Sequence, residues 1–230
     1  MNAVRALVAL AALWLAGCVS QTGLGRAETL RAGAGQLSMG LEAQLMLANS
    51  RAGPQPVPIP WAILQAGYRR GVGERKEAGL RLFGLVIGPA GLAHFGGALD
   101  GKYLLRRSEE GWDVAVATSL GYHQVRFGTP WHYPSITASL MLGRDFDGRH
   151  AIVLGPRLGY GAWAGEGQGT IDFPFVGGFF GVDWRLSRTF HFAPELVFLW
   201  SPVSFNGQQY DADRFGASSV QLGLGGAFDL

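Results

Sequence analysis

The stretch "GWDVAVATSLGYH", residues 111–123, decides the fold. Every second residue from Trp112 gives Trp112, Val114, Val116, Thr118, Leu120 and Tyr122. The residues between are Asp113, Ala115, Ala117, Ser119, Gly121 and His123. One row is apolar with an aromatic at each end; the other is small and polar. A period of two means a strand, because successive side chains leave opposite faces of a sheet. What remains is which side meets the oil: the interior of a soluble protein or the exterior of a membrane one.

Working outward, the same alternation recurs. Ten strands are expected, at 36–48, 60–71, 77–87, 91–107, 111–124, 131–144, 150–163, 172–186, 189–201 and 218–230. The first places Leu37, Met39, Leu41 and Leu45 opposite Ser38, Glu42 and Gln44. The fourth sets Phe95, Leu99 and Tyr103 against His94, Asp100 and Lys102. The ninth sets Phe190, Phe192, Leu196, Phe198 and Trp200 against His191, Ala193 and Glu195. The eighth, around "FPFVGGFFGV", is apolar on both faces. Connections after strands 2, 4, 6 and 8 are short: "GERK", "SEEG", "DFDGRH" and "SR". Those after strands 1, 5, 7 and 9 read as longer loops: "NSRAGPQPVPIP", "RFGTPWHYP", "AGEGQGT" and "SPVSFNGQQYDADRFGAS". Only "GPAG", after the third, breaks the short–long rhythm. Hairpins with tight turns at one end and long loops at the other match an outer-membrane barrel, whose short turns are periplasmic.

Strand length points the same way. Trp112 and Tyr122 are ten residues apart, as are Phe190 and Trp200. At about 3.3 Å per residue and a tilt near 45°, that spacing projects to roughly 23 Å, close to the apolar band of a membrane barrel. The polar face carries Glu42, Arg81, Asp113, Arg157, Asp183, Arg185 and Glu195 among small residues. These are expected to form a lumenal polar network. The predicted fold is therefore an all-β, antiparallel, up-and-down transmembrane β-barrel of about ten strands, with eight as the alternative count. In lipid such a sheet must close, because an unpaired edge leaves polar groups unsatisfied.

Composition agrees. Of 230 residues 36 are glycine, aromatics make up 12% and charged residues only 16%, against about 25% in an average soluble domain. The formal charge is +2, and no Lys/Arg-rich run suggests a nucleic-acid partner. No later apolar run reaches the 18 residues of a transmembrane helix.

The N-terminus, "MNAVRALVALAALWLAGC", has the layout of an export signal: Arg5, an apolar stretch from Ala6 to Leu15, then Leu15-Ala16-Gly17-Cys18. These last four residues resemble the lipobox of bacterial lipoproteins. The resemblance implies cleavage before Cys18, lipidation of Cys18, and anchoring of the mature N-terminus on the periplasmic side of the outer membrane. It divides the chain into a signal peptide at 1–17, a lipidated tether at 18–35 and a barrel at 36–230. The closing segment "VQLGLGGAFDL" resembles the C-terminal β-signal read by the barrel-assembly machinery, although it ends in Leu230 where that signal usually ends in Phe. The expected partners are outer-membrane lipid and that machinery during biogenesis, with the protein a monomer.

Catalytic signals are sparse. His94, His123 and His191 share the polar face with Asp113 and Glu195, but no Ser nucleophile motif accompanies them and GxSxG is absent. "GYGAWAGEGQG" lacks the following helix of a phosphate loop, and "DFDGRH" matches no EF-hand spacing. No cofactor or metal is expected, and no catalytic residue is assigned. A ten-strand wall closes to a narrow interior, narrower still if Phe173, Phe175 and Phe179 point inward, so no wide pore is expected. The role expected is structural, adhesive or ligand-binding, with the loops at 49–60 and 202–217 as contact surfaces. Two alternatives remain at this stage: a lipid-anchored soluble, lipocalin-like barrel holding a lipophilic ligand, and an outer-membrane lipid hydrolase using His191 or His123.

Overall fold

Strand-forming alternation runs almost without interruption from Gly35 to the C-terminus, and the backbone follows it. The computed structural model describes residues 25–50, 53–58, 63–85, 93–109, 111–127, 129–165, 169–202, 204–205, 208–209 and 216–230. Among them there is no helix. The strands are β1 (Gly35–Ser50), β2 (Gly53–Pro58), β3 (Ile63–Gly73), β4 (Lys76–Leu85), β5 (Ala93–Arg106), β6 (Asp113–Phe127), β7 (Thr129–Asp145), β8 (His150–Gly165), β9 (Gly169–Arg185), β10 (Phe190–Pro202), β11 (Ser204–Phe205), β12 (Gln208–Gln209) and β13 (Gly216–Asp229).

Ten of these form the wall. From β3 to β10 each wall strand pairs antiparallel with its neighbour in sequence, and β13 pairs with both β10 and β1, closing the ring. The result is a closed, all-β, up-and-down barrel of ten strands. The three remaining strands belong to the rim: β2 folds back on Leu45–Ser50 of β1, and β11 pairs with β12 and the start of β9.

The tight turns gather at one end, here called the turn end. In "DFDGRH", Asp145 Oδ1 accepts the Asp147 N–H at 3.0 Å, and Asp147 Oδ1 accepts those of Arg149 and His150 at 2.9 and 2.7 Å. Gly148 takes the positive φ of 70° that this turn requires. Ser187 closes the β9–β10 turn by accepting the Phe190 N–H at 3.0 Å. The two ends of the wall meet at the same level, where Leu230 N–H donates to the Gly35 carbonyl at 2.9 Å.

The other end differs from expectation in two places. "RFGTPWHYP" is not an open loop. β6 and β7 stay paired up to Phe127 and Thr129, because Trp131 and Tyr133 continue the period of two into the interior. Its prolines act elsewhere: the β7–β8 ladder lapses at Tyr133 and Pro134, where proline has no N–H to give. The β9–β10 ladder lapses likewise at Ala193 and Pro194. "AGEGQGT" is also shorter than expected, since Gly165 pairs with Gly169. "GPAG" and parts of the loops at 49–60 and 202–217 lie outside the described residues.

The two rows of each strand separate cleanly. Leu82, Leu99, Leu120 and Leu158 are 57–62% exposed on the exterior, while Glu42 is 1% exposed in the interior. Tyr68, Tyr103, Trp112 and Trp184 edge the exterior apolar surface towards the turn end; Phe95, Tyr122, Tyr160 and Trp200 edge it towards the loop end. The soluble alternative needs the reverse, with apolar rows turned inward around a dry centre.

Candidate functional site

Most buried polar and ionic side chains among the described residues line the lumen, which is filled at three levels. Residues 25–34 cross the mouth at the turn end. Ala32 bridges Gly71, with Gly33 N–H donating to the Gly71 carbonyl at 2.8 Å. Gly71 admits this crossing because a Cβ there would lie 2.1 Å from the Arg31 carbonyl oxygen. Leu30 N–H donates to Glu77 Oε2 at 3.1 Å, and Lys102 Nζ donates to the carbonyls of Arg26 and Glu28 at 3.0 and 2.8 Å. Ala27 is buried over Gly143.

The side chains around this strap form a closed circuit. Arg26 bonds Asp183 at 2.7 Å, and Asp183 contacts His191 Nδ1 at 3.0 Å. His191 Nε2 contacts Asp229 at 2.8 Å, and Asp229 accepts from Gln36 at 2.8 Å. Gln36 accepts from Arg69, and Arg69 pairs with Glu77 at 3.4 Å. Glu77 pairs with Lys102 at 3.0 Å, and Lys102 returns to the Arg26 carbonyl. Burial disfavours the charged Arg26 guanidinium, but Asp183 and Asp145 outweigh it and raise the pKa. At the turn itself, the Arg149 and His150 N–H groups hold the exposed Asp147 carboxyl below its ordinary range.

At mid-height two ion pairs face each other across a cavity of about 90 Å³. Arg81 makes a two-pronged contact with Asp100, at 2.6 and 2.9 Å, and reaches Ser119 at 3.2 Å. Arg157 donates to Ser139 at 3.0 Å, pairs with Glu195 at 3.4 Å and lies 4.5 Å over the Phe179 ring. Charged and apolar side chains, among them Phe83, Met141 and Phe179, line the cavity together, and it has room for a few water molecules. Phe173, Phe175 and Phe179 do point inward.

The loop-end level is aromatic. Phe83 stacks on His123 at 4.2 Å; His123 meets the edge of Tyr133 at 5.8 Å; Tyr133 lies against Trp163 at 4.7 Å. His94 stacks beside His123, with Nε2 3.0 Å from His123 Nδ1.

Of the residues expected in a lumenal network, Glu42, Arg81, Arg157, Asp183 and Glu195 lie inside, and Arg157 and Glu195 are brought together. Asp113 instead accepts the Ser108 N–H at 2.8 Å and closes the β5–β6 turn. Arg185 is exposed at the turn end, donating to the Gly148 carbonyl at 3.2 Å. His191 and Glu195 share a face but have separate partners, and His123 pairs with a second histidine rather than a carboxylate. Among the described residues no cluster of three or more His, Cys, Asp or Glu could hold a metal ion. Cys18 lies outside the described residues. Asp100, Lys102, Glu77, Gln36, Arg69 and Asp229 complete the circuits. Their alternation puts them on the polar face, and most of their partners lie on the adjacent strand, with Gln36 opposite Arg69 and Asp229 and Glu77 opposite Lys102, so the register between neighbouring strands is the signal that finds them.

No protein-family model matches the chain, and no curated protein matches it. Solved structures do. The outer membrane protease OmpT from Escherichia coli is similar with a TM-score of 0.52 at 8% identity, over 89% of this chain and 100% of that one. The COG4313 outer membrane channel from Pseudomonas putida F1 is similar with a TM-score of 0.51 at 10% identity, over 92% and 100%. The fold is that of the bacterial outer-membrane β-barrels. One neighbour is a protease and the other a channel, so the shared wall leaves the activity to be argued from the lumen and rim.

Proposed function

We propose that this protein is an outer-membrane β-barrel with a closed lumen, lipid-modified at Cys18, serving a structural, adhesive or small-ligand-binding role rather than conducting solutes or catalysing a reaction. The observation that carries this is the placement of the two rows: large apolar side chains cover the exterior between two aromatic belts, while ion pairs fill the centre. Water would penalise such an exterior; acyl chains would not. The strap at one end, the aromatic stack at the other and separate cavities of about 90 Å³ at mid-height and at the strap argue against a pore.

In this reading the turn end is periplasmic. Cys18 precedes Gly25 by seven residues, a reach of at most about 25 Å at 3.3–3.6 Å per residue. Gly25 sits beside Arg69 near the turn-end mouth. A lipid on Cys18 therefore reaches the periplasmic leaflet, the side on which the lipobox resemblance puts it.

Fractionation tests this directly. With the signal replaced by a non-lipid one, the Cys18→Ala protein should still require detergent for extraction; release into the soluble fraction refutes the barrel in the membrane. Purified protein in planar bilayers should show no porin-sized conductance steps, and their appearance refutes the closed lumen.

A further inference from the structure

The exterior carries a feature that neither closure nor the lumen uses. Just beyond the turn-end aromatics, outward positions on four of five consecutive strands are basic: Arg70 on β3, Lys76 on β4, Arg106 on β5 and Arg144 on β7. Arg70 lies two residues past Tyr68, and Lys76 pairs directly with Tyr103. Arg106 stands opposite Val114 on the outward face, past the irregularity at Leu104/Arg106. All four are exposed, and among the described residues none makes an ion pair; Arg144 only rests over the Phe146 ring at 5.8 Å. Acidic residues at this end point inward, as Glu77, Asp183 and Asp229 do, sit in the turns, as Glu74 and Asp147 do, or lie on the strap, as Glu28 does in its pair with Arg107. The rest of the rim, from β9 round to β1, ends instead in Trp184, Phe190, Phe228 and Leu37. The exposed arginines on the far side, Arg149, Arg185 and Arg188, lie in the turns or on an inward row, so basic residues at outward strand positions form an arc that covers one side of the barrel only.

We infer that this arc, on β3 to β7, is a binding surface for anionic phospholipid headgroups in the leaflet at the turn end. The inference rests on the membrane orientation proposed above. Interfacial aromatics sit at headgroup level, so cations level with them or up to three residues beyond them meet the phosphates. Neutral and anionic lipids both offer a phosphate, but only the anionic headgroup leaves a net charge for an unpaired arginine to neutralise. An acidic soluble partner would need no aromatic belt beneath the cations.

Full-length protein is reconstituted into phosphatidylcholine vesicles containing either brominated phosphatidylglycerol or brominated phosphatidylcholine, and quenching of its tryptophan fluorescence is titrated. Wild type should prefer the anionic lipid on the order of five-fold, the factor expected of one well-placed cation. The preference should fall towards unity in about 0.5 M salt. R70Q/K76Q/R106Q/R144Q should lose it while keeping the heat-dependent gel shift of a folded barrel. If this variant does not fold, R106Q/R144Q and the salt titration of wild type carry the same comparison. Equal quenching by both lipids in wild type, or an undiminished preference in a folded variant, overturns the inference. Failure of either lipid to quench would instead refute the membrane orientation on which it rests.

Discussion

Leu99 offers the sharpest test of which solvent the exterior meets. It lies midway between Phe95 and Tyr103 on β5, pairs with Leu80 and Leu120 on the neighbouring strands, and is 62% exposed. The eight residues from Phe95 to Tyr103 project to about 19 Å at a rise of 3.3 Å and a tilt of 45°. Leu99 is therefore about 9 Å from either aromatic level, too deep for a guanidinium to reach headgroups without distortion. Leu99→Arg should cost about 2–4 kcal/mol, the penalty for a cation near the midplane of a barrel's lipid face. Leu105→Arg, past Tyr103 at the rim, should cost about 0–1 kcal/mol. On the surface of a soluble barrel both would fall within about 0.5 kcal/mol of wild type. Urea titration of protein folded in vesicles, followed by tryptophan fluorescence and gel shift, separates the cases. Equal costs at Leu99 and Leu105 would refute a lipid-facing exterior.

Glu195→Gln should destabilise by about 3 kcal/mol, because it leaves the buried Arg157 without its closest carboxylate while Ser139 still accepts from it; a loss under about 1 kcal/mol in the same urea assay would show that the pair is not a structural one. Asp147 predicts a pH dependence. Its carboxyl pKa is lowered in the folded state by the Arg149 and His150 N–H groups, so its contribution is full above the unfolded value of about 3.9 and disappears as pH falls through the lower folded value. Wild type and Asp147→Asn should differ in urea midpoint at neutral pH and converge towards about pH 2, and a constant difference would sink this assignment.

Much of this architecture was legible because a strand buried on one side and oiled on the other must alternate. Trp112, Leu120 and Tyr122 point out and Ala115 and His123 point in, as their spacing requires. "FPFVGGFFGV" resisted because both its rows are apolar for different reasons: Phe173, Phe175 and Phe179 fill the lumen, and Val176 and Phe180 face outward. Pro130 and Pro134 read as loop punctuation, yet a missing N–H interrupts only one of the two ladders flanking a strand. The strap was invisible for a stronger reason. "GRAETLRAGA" has no apolar periodicity, and it is held by contacts such as Arg26–Asp183, between residues 157 positions apart. Pairing of that kind depends on the closed geometry, which a local pattern does not encode.

Glycine links closure of the wall to closure of the lumen. A ten-strand barrel has a narrow interior that its own side chains can fill. Several lumenal rings lie over positions without a side chain. A Cβ on Gly161 would stand 2.1 Å from the Tyr133 ring, one on Gly159 2.3 Å from Phe175, and one on Gly96 2.5 Å from Phe83. Trp131 covers Gly165 in the same way at 3.1 Å. These four lumenal glycines thus mark seats for aromatic filling, not flexibility of the wall. Because the filling is seated in the strands themselves, opening the loop end would require Tyr133 and Phe83 to leave their glycine seats and break the stack through His123 to Trp163 together. Displacing the turn-end strap alone would expose the ionic circuit to water and still leave the aromatic level intact, so closure does not depend on the strap.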